Sequence, residues 1–215
     1  RSTLRHTLFP YTTLFRSNRL GTNSLVDLVV FGRRAGQHMA QFMKDAAPRE
    51  DQEATRQAQH RVEKKIRGLR RPLDEEKKGT NPPPSVGPLY SEMQKIMTAK
   101  VGVYRREDAM REAVEAIQEL RTRWKNLRLE DSSVAFNTQL LGLLELENLL
   151  DLSLLTAASA LNRQESRGAH SREDFPQRDD PRWLKHTLTR LEGDEVKIDY
   201  KEVDTSIWEP KPRKY

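Results

Sequence analysis

Cysteine is absent from all 215 residues, so disulfides, thiolate metal sites and cysteine-ligated iron–sulfur clusters are excluded for this chain. Aromatic residues are few, at 7%, and hydrophobic residues of every kind reach 35% against 33% charged. That balance gives a heavily charged surface over a modest core and suits a soluble helical domain. Long apolar runs are missing too. The most apolar stretch, Leu140 to Leu161, is broken by Glu145, Glu147 and Asp151, whose charges are costly in hydrocarbon. It reads as a buried helix, not a membrane span. The N-terminus lacks the basic, apolar and small-residue order of a signal peptide, and the chain has no internal repeat.

The formal net charge of +6 would point to nucleic acid or an anionic surface if the basic residues clustered. They alternate with acids instead, as in Arg105-Arg106-Glu107-Asp108 and Arg61-Val62-Glu63-Lys64-Lys65. The reading therefore expects no nucleic-acid partner. Part of the excess lies in residues 1–17, RSTLRHTLFPYTTLFRS, which hold no acid and no sustained helical or strand period. From Thr7 to Ser17 this run resembles a translated sequencing adapter, codon for codon; the bland alternative is an exposed apolar leader. Residues 1–17 are set aside as a non-native leader, which removes Arg1, Arg5 and Arg16 and lowers the net charge from +6 to +3.

From Asn18 onward the chain reads as helices. Asn23 suits an N-cap for a helix starting near Ser24. Leu25, Val26, Leu28, Val29, Val30 and Phe31 then crowd almost every face, which predicts burial all round for two turns. The second half turns amphipathic, with Met39, Phe42 and Met43. A second helix is expected after Pro48, on the stripe Ala54, Ala58, Val62, Ile66 and Leu69. Residues 70–88 dissolve into charge, Gly79 and Pro82-Pro83-Pro84, a solvated loop. Leu89, Met93, Ile96 and Met97 mark a third helix. Met110, Val114, Ile117, Leu120, Trp124 and Leu127 mark a fourth, and Leu140 to Leu161 a fifth. Beyond Gly168, His186–Leu191 and Val196–Tyr200 flank Glu192-Gly193-Asp194-Glu195 as a β-hairpin. The expected fold is mainly α: an antiparallel, spectrin-like helical bundle followed by a small β-hairpin and an extended C-terminal tail.

Two stretches could carry chemistry. In Asn18-Arg19-Leu20-Gly21-Thr22-Asn23-Ser24-Leu25, a glycine-containing turn delivers the chain into a helix whose first amides have no intrahelical partner. Those N–H groups and the helix dipole favour developing negative charge. An arginine just before can hold a carboxylate through two parallel hydrogen bonds. An ordinary capped helix with a surface arginine would look the same. The second stretch runs from Glu165-Ser166-Arg167-Gly168-Ala169-His170-Ser171-Arg172 to Lys185-His186-Thr187. His170 beside acids could be a metal ligand or general base, but two histidines across a polar loop lack a metal-binding spacing. The plainer reading is a polar network tying the loop to the bundle. His60 reads as a solvated helix residue and Trp124 as core.

The segment NRLGTNSLVDLVVFGRRAG resembles the ANRLGxNSLLDLxVFGRxAG motif of succinate dehydrogenase and fumarate reductase flavoprotein subunits. The resemblance implies that Arg19 binds a carboxylate of a dicarboxylate substrate, and that Ser24 and Leu25 contact the FAD isoalloxazine ring through backbone groups. Thr22 falls where the family varies and receives no role. Residues 165–187 resemble the family signature ESRGAHxRxDxPxRDDxxWLKHT, there a structural element, so no catalytic residue is assigned. The likeness extends to MQKIMTAKVGVYR, Phe136-Asn137-Thr138-Gln139, Leu144 to Leu150 and the Pro-Lys-Pro-Arg-Lys-Tyr ending, and is weakest over 70–88.

The resemblance implies residues 18–43 as the end of an FAD-binding domain, 44–167 as a C-terminal helical bundle, and 168–215 as loop, hairpin and tail. It also implies an iron–sulfur subunit and membrane-anchor subunits as partners, and a peripheral position on the cytoplasmic side of a bacterial inner membrane. The family's Gly-x-Gly-x-x-Gly pyrophosphate turn, the histidine that carries the covalent flavin and the capping-domain arginine have no counterpart here. The chain is therefore expected to be a C-terminal portion that holds no FAD and turns over no succinate alone. L-aspartate oxidases carry similar NRLxxNSL and ESRGxHxRxDxP motifs, but Asp27 to Val30 and the Trp183–Thr187 continuation favour the succinate branch. A free-standing helical interaction module is the rival from another class, and an all-round apolar first helix argues against it.

Overall fold

In this computed structural model, residues 23–46, 52–70, 85–131, 133, 135–207 and 209–210 are described. The leader, Arg19, residues 47–51, most of the 70–88 loop and residues 211–215 lie outside them. Among the described residues the elements run in the order α1 (Asn23–Asp45), α2 (Gln52–Leu69), α3 (Val86–Lys100), β1 (Tyr104–Arg105), α4 (Glu107–Lys125), α5 (Thr138–Asn162), β2 (Ser171–Arg172), α6 (Asp180–Trp183), β3 (Lys185–Glu192) and β4 (Glu195–Glu202). The chain is mainly helical with a small C-terminal hairpin, as expected. It divides into two compact units, one within Arg1–Pro88 and Arg123–Leu146, the other Leu89–Thr122 with Glu147–Tyr215.

In the first unit, Leu69, Leu127, Leu143 and Leu146 are buried. The Leu129 amide donates to the Leu69 carbonyl at 2.8 Å, and the Trp124 indole N–H donates to the Leu143 carbonyl at 2.9 Å. Trp124 is thus half core and half anchor. Asn137 caps α5, its side-chain oxygen accepting from the Leu140 amide at 2.7 Å. Phe136, one residue earlier, sits at φ 55° and is wholly exposed. Of the α2 stripe only Leu69 is buried, and Val62 faces solvent.

The second unit holds the larger core. Its buried residues are Leu89, Met93 and Met97 of α3, Met110, Ala113, Ile117 and Leu120 of α4, and Leu150, Leu154, Ala157 and Ala160 of α5. Spacings of three and four put each set on one helix face. Two expectations need correction. Ala113, not Val114, takes the buried α4 position, because 110, 113, 117 and 120 form the continuous stripe. Nor is α5 buried all round: Leu141 and Leu152 are more than half exposed, on the faces away from its 143–146–150–154–157 stripe.

β3 and β4 pair antiparallel, from Lys185 opposite Glu202 to Glu192 opposite Glu195, around the two-residue loop Gly193-Asp194. The hairpin is held at its base by aromatics and cations. Trp183 meets Tyr200 edge-on with ring centroids 6.0 Å apart, and the Lys185 ammonium lies 3.9 Å from the Tyr200 ring centre. At its tip, Arg121 of α4 bridges Asp151 of α5 and Asp194 of the loop, at 2.8 and 3.2 Å. β1 and β2 form a short parallel pair that sets Arg105 opposite Arg172.

Candidate functional site

Arg19 lies outside the described residues. Ser24 and Leu25 fall in the first turn of α1, whose amides lack intrahelical acceptors. That turn holds no acidic residue, so nothing in it offsets the positive end of the helix dipole. The flank of α1 departs from expectation. Leu28 and Phe31 are each 59% exposed, and Val29, Val30, Met39, Phe42 and Met43 are exposed as well. Their apolar area finds no cover within this chain's described residues.

The second stretch is a buried ionic network. α5 ends at Asn162 with carbonyls that need donors. Arg172, almost wholly buried, supplies them: one terminal nitrogen donates to the carbonyls of Ala160, Leu161 and Arg163 at 3.3, 3.1 and 3.0 Å. Its other two nitrogens fork onto Asp174 at 2.6 and 2.7 Å. Asp174 accepts the amide of Glu107, the first residue of α4, at 2.9 Å. One ion pair thus caps the negative end of α5 and the positive end of α4. The Arg172 guanidinium holds the Asp174 carboxyl down to about 2.

Glu165 has no exposed surface. It accepts a fork from Arg167 at 2.8 and 2.9 Å, Arg163 at 2.5 Å and the Asp179 amide at 2.9 Å. Burial alone would raise its pKa, but these hydrogen bonds outweigh burial and hold it below the usual range. Asp180, gripped by Arg178 and then Arg167, is held near 2. Gly168 turns this loop at φ 60°, a left-handed conformation that favours glycine, so that Arg167 and His170 exchange backbone hydrogen bonds at 2.8 and 3.0 Å.

His170 closes the network. Arg105 donates to its Nδ1 at 2.6 Å. A guanidinium has no lone pair to offer, so Nδ1 accepts and Nε2 carries the proton, donating to the Arg163 carbonyl at 3.0 Å. Burial first, then the charges of Arg105, Arg172 and Arg163, lower its pKa to about 4. A neutral imidazole with both nitrogens engaged is no general base, and the described residues contain no metal-binding group of three His, Cys, Asp or Glu side chains. These hydrogen bonds make the stretch a polar network that ties the loop to the ends of α4 and α5. Sequence reasoning missed Arg105 and Arg163: Arg105 meets His170 across 65 positions, and its only local signal was its place at the end of KVGVYR.

Residues 90–215, more than half of the chain, match the family model described as fumarate reductase flavoprotein C-term. The chain is 40% identical to the succinate dehydrogenase flavoprotein subunit of Rickettsia bellii over 190 residues, 87% of this chain and 30% of that protein. It is 37% identical to the fumarate reductase flavoprotein subunit of Mycobacterium tuberculosis over 202 residues, 93% of this chain and 34% of that one. Among solved structures, a chain of E. coli quinol fumarate reductase superposes with a TM-score of 0.78 at 35% identity, covering 91% of this chain and 32% of that chain. The chain thus spans about a third of the length of the relatives it matches.

Proposed function

Because the chain belongs to the fumarate reductase flavoprotein C-terminal family, we propose that residues 18–215 form the C-terminal part of the FAD-containing subunit of a succinate dehydrogenase. The complete subunit oxidises succinate to fumarate and passes electrons through FAD to an iron–sulfur subunit and, with membrane-anchor subunits, to quinone. The observation that carries this reading is the start of α1: a first turn without acids, at the position of the NRLGTNSL motif. FAD, when bound, supplies the hydride acceptor. The amides of Ser24 and Leu25 stabilise negative charge on its ring, and the Arg19 guanidinium grips one substrate carboxylate. No residue of this chain is assigned a catalytic role.

Residues 18–43 complete the FAD-binding domain, 44–167 form the helical bundle, and 168–215 form the loop, hairpin and tail. The exposed apolar surface of α1 supports a neighbouring domain against it. A peripheral, cytoplasmic-side place on a bacterial inner membrane agrees with a described structure in which no helix is long and apolar enough to cross a membrane. Aspartate oxidase shares the two short motifs, but the matched family model and relatives favour the succinate branch.

The test is a graft. Residues 18–215 replace the matching segment of a succinate dehydrogenase flavoprotein subunit, and flavin absorbance and succinate-dependent dye reduction are measured. Full flavin content with turnover is the expected result, while the 215-residue chain alone stays colourless. A graft that folds but neither holds flavin nor turns over would refute the reading.

A further inference from the structure

Arg105 is 5% exposed, yet no carboxylate among the described residues pairs with it. Its Nε donates to the Gly102 carbonyl at 2.8 Å and one terminal nitrogen meets His170. The remaining N–H groups of the fork have no protein acceptor among the described residues. The nearby acids are engaged elsewhere: Asp174 on Arg172, and Glu165 on Arg163 and Arg167. Arg172, opposite in the β1–β2 register, adds a second positive charge and lowers the pKa of Arg105 further after burial has done so. An arginine cannot shed its proton at physiological pH, and a buried charge without a partner is costly.

Arg105 lines a cleft of about 540 Å³ between α5 and β3, bounded by Leu152, Leu155, Thr156, Ala160 and Thr187 among others, with no acidic residue in its lining. Thr187, in the same lining, accepts from Arg163 at 3.1 Å. A cation, threonine hydroxyls and aliphatic side chains in one lining match one ligand chemistry, a carboxylate borne on an apolar carbon chain. We propose that this cleft is a carboxylate-binding site with Arg105 as its receptor. The carboxylate comes from a free short-chain acid or from an Asp or Glu side chain of polypeptide outside these residues. The inference stands on the cleft alone and does not depend on the flavoprotein reading.

Two arms test it on the 215-residue chain. The first titrates sodium butyrate against sodium chloride at equal ionic strength, following the thermal midpoint and the His170 ring-nitrogen resonances. The second builds the carboxylate in with Thr156→Glu. A free-acid site gives a midpoint rise of about 2–4 °C and shifted His170 resonances with butyrate. A polypeptide site leaves butyrate silent, while Thr156→Glu raises the midpoint by a similar amount. Either gain disappears in Arg105→Gln, and if that variant fails to fold, the His170 resonances of the parent and of Thr156→Glu carry the test. Silence in both arms, or a gain that survives in Arg105→Gln, overturns the proposal.

Discussion

Between Leu28 and Met43, α1 turns seven large apolar side chains toward solvent, whereas the polar stretch from Arg163 to Asp180 places Glu165 and Arg172 fully inside. Hydrophobicity alone would sort them the other way. The difference lies in partners. Each buried charge between 163 and 180 has a matched donor or acceptor within a few residues or across one strand pair, so its desolvation is offset. The α1 side chains need only a surface to lie against, and that surface is not among the described residues of this chain. Buried charges can find their partners among neighbouring residues of the same chain. An apolar face points outward to whatever covers it.

The sharpest way to break this contrast is to remove the hub of the network. Glu165→Gln leaves Arg163 and Arg167 facing each other without their carboxylate, and urea unfolding should show a loss of about 3–5 kcal/mol. A loss near zero would mean that these guanidiniums are solvated. His170 gives the next effect. Its folded pKa is near 4 against an ordinary 6.5, so the unfolded chain takes up that proton first as pH falls. Its contribution is full above pH 6.5 and is lost as pH drops toward 4. Glu165, Asp174 and Asp180, all lowered, lose theirs only below the ordinary carboxylate range. The window from about pH 6.5 to 4.5 therefore belongs to His170, at on the order of 2 kcal/mol. His170→Asn should flatten the unfolding free energy across it.

Gly168→Ala forces a side chain into a left-handed turn and should cost about 1–2 kcal/mol, measured by the same denaturation. The smallest effect belongs to α1. Leu28→Ser with Phe31→Ser should change the stability of this chain by less than about 0.5 kcal/mol, yet lower flavin retention in the grafted subunit. A large loss in the isolated chain would show that α1 is packed there after all.

Much of the helical part was legible because period carries it. The stripe from Met110 to Leu120 and the run from Leu143 to Ala157 repeat every three or four residues, and burial follows. The hairpin was legible because Gly193-Asp194 interrupts two alternating strands. Burial in α1 was not: apolar residues on every face state a need for cover without saying where the cover is. Nor were the individual pairings of the network, although the segment could be read as one. Arg105 is brought to His170 beside the β1–β2 pairing, and two-residue strands leave no pattern in a sequence; Arg172 reaches the end of α5 through its side chain alone.

The decisive experiment returns to the motif ahead of α1. In the grafted subunit, Arg19→Gln should lower kcat/KM for succinate by about 10- to 100-fold while flavin absorbance per protein stays unchanged. An Arg19→Gln graft that oxidises succinate as efficiently as its parent would contradict the assignment of this chain's guanidinium to the substrate carboxylate.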